Sequence, residues 1–166
     1  NELSRAAGVE LSPATSGEIV GESLQTCVPG IFACGNVLHV HDLVDDVTME
    51  SEHAGRAAAA YARTSGAEGW FAAGPEPALR VRDGAGVRGL VPQSLCVARV
   101  EREVVLLFRP AAVFRDAAVV VRVDGVEVMR RKHRILTPGE MVKLTLQKCM
   151  LEPFAGCREL KVEVAS

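Results

Sequence analysis

Leu160, Val162 and Val164 alternate with Lys161 and Glu163, the two-residue period of a strand with one dry face and one wet face. That period governs the chain from Leu90 onward. Six segments carry it or are rich in β-branched residues: 94–100, 104–109, 118–123, 126–131, 141–148 and 158–164. Asp124-Gly125 stands between two such runs and marks a tight hairpin, because both turn positions need a positive φ. Glu101-Arg102 and Pro138-Gly139 mark further turns. Short strands at this spacing predict an antiparallel β-sandwich or small barrel over residues 90–166.

The chain has another character before residue 64. Residues 47–63 (VTMESEHAGRAAAAYAR) are rich in Ala and Glu and predict a helix. Asp46 or Thr48 caps it, Glu50 and Glu52 suit the positive end of its dipole, and Arg56 and Arg63 suit the other end. Val47, Met49, His53, Ala54, Ala57 and Ala60 form its expected packed stripe. Residues 17–20 and 30–35 read as strands, the second apolar throughout as if buried on both faces, and residues 4–7 as a helical turn. Residues 64–89 are rich in Gly and Pro and read as a linker, with Trp70 and Phe71 pinning it to a surface. The expected class is therefore α+β: a strand-plus-helix segment over 1–63, a linker over 64–89 and a β domain over 90–166.

Composition removes several functions. Nineteen Lys and Arg against 21 Asp and Glu give a net charge of −2, which provides no electrostatic footprint for nucleic acid or an anionic membrane. No apolar run approaches the roughly 20 residues of a membrane span. Five cysteines form an odd set with no CxxC, which favours reduced thiols in the cytoplasm over a disulfide framework. The start, Asn1-Glu2-Leu3-Ser4, has neither Met nor the basic-then-apolar pattern of a signal segment, and we read the chain as a piece of a longer protein.

Four motifs carry less than they promise. Gly84-Ala85-Gly86-Val87-Arg88-Gly89 spells GxGxxG, but Pro92 and β-type residues follow it where a dinucleotide fingerprint needs a helix. His39-Val40-His41-Asp42 puts two imidazoles on one face of an extended segment, yet lacks the further ligands of a zinc signature. It reads as a polar loop, and no metal is expected. Cys34 lies in an apolar run, where a thiol is inert. The basic run 130–134 reads as a solvated hairpin edge, because the aromatics that stack bases are missing.

The most specific stretch is Thr26-Cys27-Val28-Pro29-Gly30-Ile31-Phe32-Ala33-Cys34-Gly35-Asn36. It resembles the second FAD-binding motif of the pyridine-nucleotide-disulfide oxidoreductase superfamily: Thr, a three-residue spacer, then Gly, apolar, aromatic, Ala, any residue, Gly and Asp. Thr26, Gly30, Ile31, Phe32, Ala33 and Gly35 match, and Asn36 stands where the family has Asp. Residues 40–45, followed by the Ala-rich helix, resemble the thioredoxin-reductase-like NAD(P)/FAD-dependent branch. The resemblance covers residues 1–63 and is weaker for the β region, which looks like an extra C-terminal domain.

The resemblance implies a flavoenzyme that passes electrons between NAD(P)H and an acceptor through FAD. Gly35 would let backbone approach the cofactor, and Asn36 would meet the ribityl chain with an amide that both donates and accepts. Val47, Thr48 and Met49 would open the helix whose positive end faces the flavin pyrimidine edge. The family's first FAD fingerprint, NAD(P) domain and redox cysteines would lie upstream in the same protein, so this chain alone is expected to hold no cofactor and to be inactive. Two other readings stand beside it: a non-enzymatic β module for interaction or homodimerisation, and a subunit whose FAD site is completed by a partner chain.

Overall fold

The computed structural model describes residues 1–63 and 78–165. Trp70, Phe71 and the proposed anchoring of the linker lie outside the described residues. The chain divides into two compact units, Asn1–Pro75 and Glu76–Ser166. It is an α+β protein whose second unit is a two-sheet β body packed in the manner of a sandwich.

The second unit holds eight strands: β1 (Leu79–Asp83), β2 (Val87–Val91), β3 (Ser94–Leu95), β4 (Glu103–Pro110), β5 (Phe114–Val123), β6 (Val126–Leu136), β7 (Val142–Gln147) and β8 (Glu159–Ala165). One sheet runs β3-β1-β8-β5-β6 and the other β2-β4-β7. All pairs are antiparallel except β1 with β8. In β4 and β7 every second residue faces inward, and Leu106, Phe108, Leu144 and Leu146 are completely buried. Val121, Val123, Leu160 and Val162 of the larger sheet join them in one core. Each such side chain contributes about 1.5–3 kcal/mol of burial.

Two strands lie in the segment read as linker. β1 alternates buried Leu79 and Val81 with exposed Arg80 and Arg82, and the Gly-rich corner after it passes the chain from one sheet to the other. GxGxxG is thus a strand-to-strand corner and has no helix after it. Nor is it a loose linker. A Cβ on Gly84 would sit 2.5 Å from the Val162 carbonyl oxygen, and one on Gly86 2.8 Å from Phe114. The Asp83 carboxylate accepts from the amides of Gly89 and Leu90 at 2.9 and 3.0 Å, fixing the corner's far side. The segment read as a strand over 94–100 contracts to the two residues of β3, followed by a 3-10 turn at Val97–Arg99.

The Asp124-Gly125 hairpin forms with φ of 45° and 87°, joining β5 and β6. The Asp124 carboxylate also accepts from the Glu159 amide at 2.9 Å and the Arg158 amide at 3.1 Å, which ties the turn to the start of β8. The Arg158 amide, then that of Glu159, holds the Asp124 carboxyl below its usual range. A lowered native value gives stability that is complete above the unfolded value near 3.8 and is lost as pH falls through the native one. Asp124→Ala should therefore lower the melting temperature of the β unit at neutral pH. The gap from wild type should narrow as pH falls through the native value, where the wild type loses the charge as well.

β6 forms an edge of the larger sheet, and its basic run decorates that edge. Arg130 makes a two-pronged contact with Glu127, both distances 2.8 Å, and Arg122 bridges Glu127 and Glu163. Charges along an edge discourage pairing with a second sheet.

The first unit has little regular structure before its long helix. α1 spans Glu2–Ala6 and α2 spans Val44–Arg63. The two segments expected as strands are reduced to single bridges: Leu11 with Glu18, Val20 with Thr26, and Gln25 with Phe32. The chain turns too often for a ladder, with φ near +60° at Ser16 and Leu24 and +83° at Gly30. Ile31, Phe32 and Cys34 are only half-buried, so residues 30–35 are not a strand covered on both faces. Val20, Leu24, Ala33 and Leu38 supply the small core.

Candidate functional site

Gly35 opens a 3-10 turn, Gly35–Val37, with φ +71°, a conformation that would cost an L-residue roughly 1–2 kcal/mol. A Cβ there would lie 3.5 Å from Val47 Cγ1, so the turn sits directly on the second turn of α2. The Gly35 carbonyl accepts from the Leu38 and His39 amides at 2.9 and 3.2 Å. Its own amide donates to Glu50 Oε2 at 2.5 Å.

Glu50 is the centre of this arrangement. It comes from α2, is 9% exposed, and receives His39 Nε2 on Oε1 at 2.7 Å and His41 Nε2 on Oε2 at 3.0 Å. The two imidazole rings lie 4.3 Å apart, centroid to centroid. Burial by itself would push the Glu50 carboxyl up. The hydrogen bonds from His39, the Gly35 amide and His41 outweigh it and hold the group below its usual range. A carboxylate only accepts, so both imidazoles present Nε2–H to it. Both Nδ1 atoms are buried and without a hydrogen-bond partner.

The resemblance's five cofactor-binding positions are placed as follows. Gly35 is buried in the turn, and Asn36 beside it is exposed, with Oδ1 at 3.5 Å from the His41 amide. Val47, Thr48 and Met49 do not open the helix. α2 begins at Val44, three residues earlier, so the amides without intrahelical partners are those up to Asp46. Even there, the Asp46 amide turns back to the Leu43 carbonyl at 3.2 Å. Neither capping expectation holds, since Asp46 and Thr48 lie inside the helix, and Thr48 Oγ1 donates to the Val44 carbonyl at 3.1 Å. Val47 packs toward Gly35, while Met49 is 66% exposed.

The packed stripe differs as well. Glu50, Ala54 and Ala57 are buried, at the spacing of one helical face, and His53 is exposed, with Nε2 2.8 Å from the Glu22 carbonyl oxygen. Glu50, expected as a dipole-compensating acid in the first turn, lies in the second turn and faces inward, because the helix starts earlier. His39 and His41 do share a face, as their alternation implied, and that face is turned to Glu50.

Around this core exposed apolar side chains alternate with exposed Asp42, Asp45 and Thr48. Val37, Val40, Leu43, Val44 and Met49 are all exposed within thirteen residues of chain, Val44 at 80%. All five cysteines are free thiols, with Cys34 half-buried. No helix among the described residues is long and apolar enough to cross a membrane. No family model, curated protein or solved structure matches the chain.

Proposed function

We propose that residues 1–63 are the closing piece of the FAD site in an NAD(P)H-dependent flavin oxidoreductase, with the β unit as an appended domain. The observation that carries this reading is the turn at Gly35. It is buried, left-handed, tied by its amide to Glu50 and laid on Val47, and it presents exposed Asn36 next to the start of α2. A ligand arriving there meets backbone without a Cβ, an amide side chain that can pair with ribityl hydroxyls, and apolar Val40, Leu43 and Val44 to cover a flat ring.

FAD supplies the hydride and electron chemistry, and this chain supplies orientation and field. The ring's polar edge would face the amides at the start of α2, near Val44 and Asp45. Asp45 and Asp46 occupy the same first turn, so their charge offsets part of the helix dipole and weakens its pull on an anionic reduced ring. The rest of the FAD site and the NAD(P) site would come from upstream sequence of the same protein. Five free thiols suit a reducing cytoplasm.

The test uses the protein that carries this chain together with that upstream sequence. It should purify with flavin absorbance, and NADH or NADPH should bleach it anaerobically. A protein that is colourless after reconstitution with FAD would overturn the proposal. The 166-residue chain alone should bind FAD weakly, since each hydrogen bond it offers is worth only about 0.5–1.5 kcal/mol.

A further inference from the structure

We infer that His39, His41 and Glu50 form a binding site for one divalent transition-metal ion, with Zn²⁺ the best match to the donor set. The inference is independent of the flavin reading. Two imidazole nitrogens and a carboxylate oxygen lie within 4.8 Å of one another. The side chains are 6%, 2% and 7% exposed for His39, His41 and Glu50, so the donors are preorganised and largely withdrawn from bulk water.

The geometry is close to what the ion requires. Zinc holds imidazole nitrogen and carboxylate oxygen at about 2.0–2.2 Å, which in a tetrahedron separates neighbouring donors by roughly 3.3 Å. The observed N···O separations are 2.7 Å to Oε1 and 3.0 Å to Oε2, and all three donors lie within 4.8 Å, so no pair needs to move by more than about 1.5 Å to admit the ion. Two imidazoles with one carboxylate leave at least one coordination position free, the pattern of exchangeable rather than closed structural sites.

The orientation of the rings sets the cost of binding: with the ion on Nε2, each Nδ1 would carry a buried proton without an acceptor. Both Nδ1 atoms are buried without a partner, so no hydrogen bond at that side holds either ring. When the ion takes each Nε2, the displaced proton moves to Nδ1 of the same neutral ring, with no net proton lost. Glu50 then exchanges two hydrogen bonds from imidazole for a bond to the ion, while one oxygen still accepts from the Gly35 amide. The metal would thereby lock the Gly35 turn to α2. The other imidazole of this unit, His53, faces the Glu22 carbonyl and takes no part.

The experiment titrates the metal-free 166-residue chain with Zn²⁺ and, in parallel, with Co²⁺ as a spectroscopic probe. One equivalent should bind, and Co²⁺ should give visible ligand-field bands without a sulfur charge-transfer band. His39→Ala and His41→Ala should each weaken binding roughly tenfold to a hundredfold or more, while His53→Ala should leave it unchanged. Should the ring deletions prevent folding, ¹⁵N imidazole shifts of the wild-type chain decide: Zn²⁺ should move the proton of two rings from Nε2 to Nδ1. No binding at micromolar metal, a thiolate-ligated ion, or a bound ion with two unshifted imidazoles would each overturn the assignment.

Discussion

Glu50→Leu should destabilise the first unit by about 1–3 kcal/mol for each buried donor it leaves without an acceptor. Leucine is close in size to glutamate, so the loss is not one of volume. It strands the Gly35 amide and two imidazole N–H groups in a site where water has little access. Glu50→Gln should cost less, because its carbonyl oxygen still accepts one of the three donors. The measurement is hydrogen exchange at the amides of Gly35 and Leu38. Both should lose protection in Glu50→Leu while the β unit keeps its own. Full protection of Gly35 in Glu50→Leu would show that the turn is held by other contacts.

Asn36→Leu, in the protein with a complete FAD site, should weaken FAD binding ten- to a hundredfold and leave the melting temperature of the apoprotein unchanged. Asn36 is exposed, and its hydrogen bond from the His41 amide is long, 3.5 Å, so the side chain gives the fold little support. Leucine of similar volume can neither donate nor accept. A ribityl hydroxyl would be left unpaired in the closed site, at about 1–3 kcal/mol, which is roughly that range of affinity. Asn36→Asp should be tolerated, because the resembling family carries Asp there. Flavin fluorescence gives the dissociation constants. Unchanged affinity together with a collapsed melt would make Asn36 a structural turn residue.

Some of this structure is legible in the sequence for local reasons. The β5–β6 hairpin follows from Asp124-Gly125, since few other pairs accept two positive φ values in succession. The outward period of β8 follows from Lys161 and Glu163. β1 and β2 are hidden because their few apolar residues sit among Gly, Pro and Arg, and because β1 depends on pairing with β8, nearly eighty residues later, and β2 on pairing with β4 in the other sheet. The helix in the first unit is legible from its alanines, but its start is not. Val44 to Asp46 is a poor helix-forming run that does not share the Ala-rich pattern of the rest of the helix.

The candidate site is half legible. The His39–His41 alternation announces a shared face, and the Gly35-Asn36 motif announces a close backbone approach. Nothing local says that Glu50 turns inward. Acids belong at a helix start facing water, and only the left-handed turn at Gly35, which folds the two histidines onto α2, gives this one its partners.

The most direct measurement is a crystal structure of the FAD-loaded protein. The ribityl chain is expected within hydrogen-bond distance of Asn36, the isoalloxazine against Val40, Leu43 or Val44, and its polar edge at the first turn of α2. A flavin bound elsewhere, with the Gly35 turn and the start of α2 covered by protein, would contradict this placement.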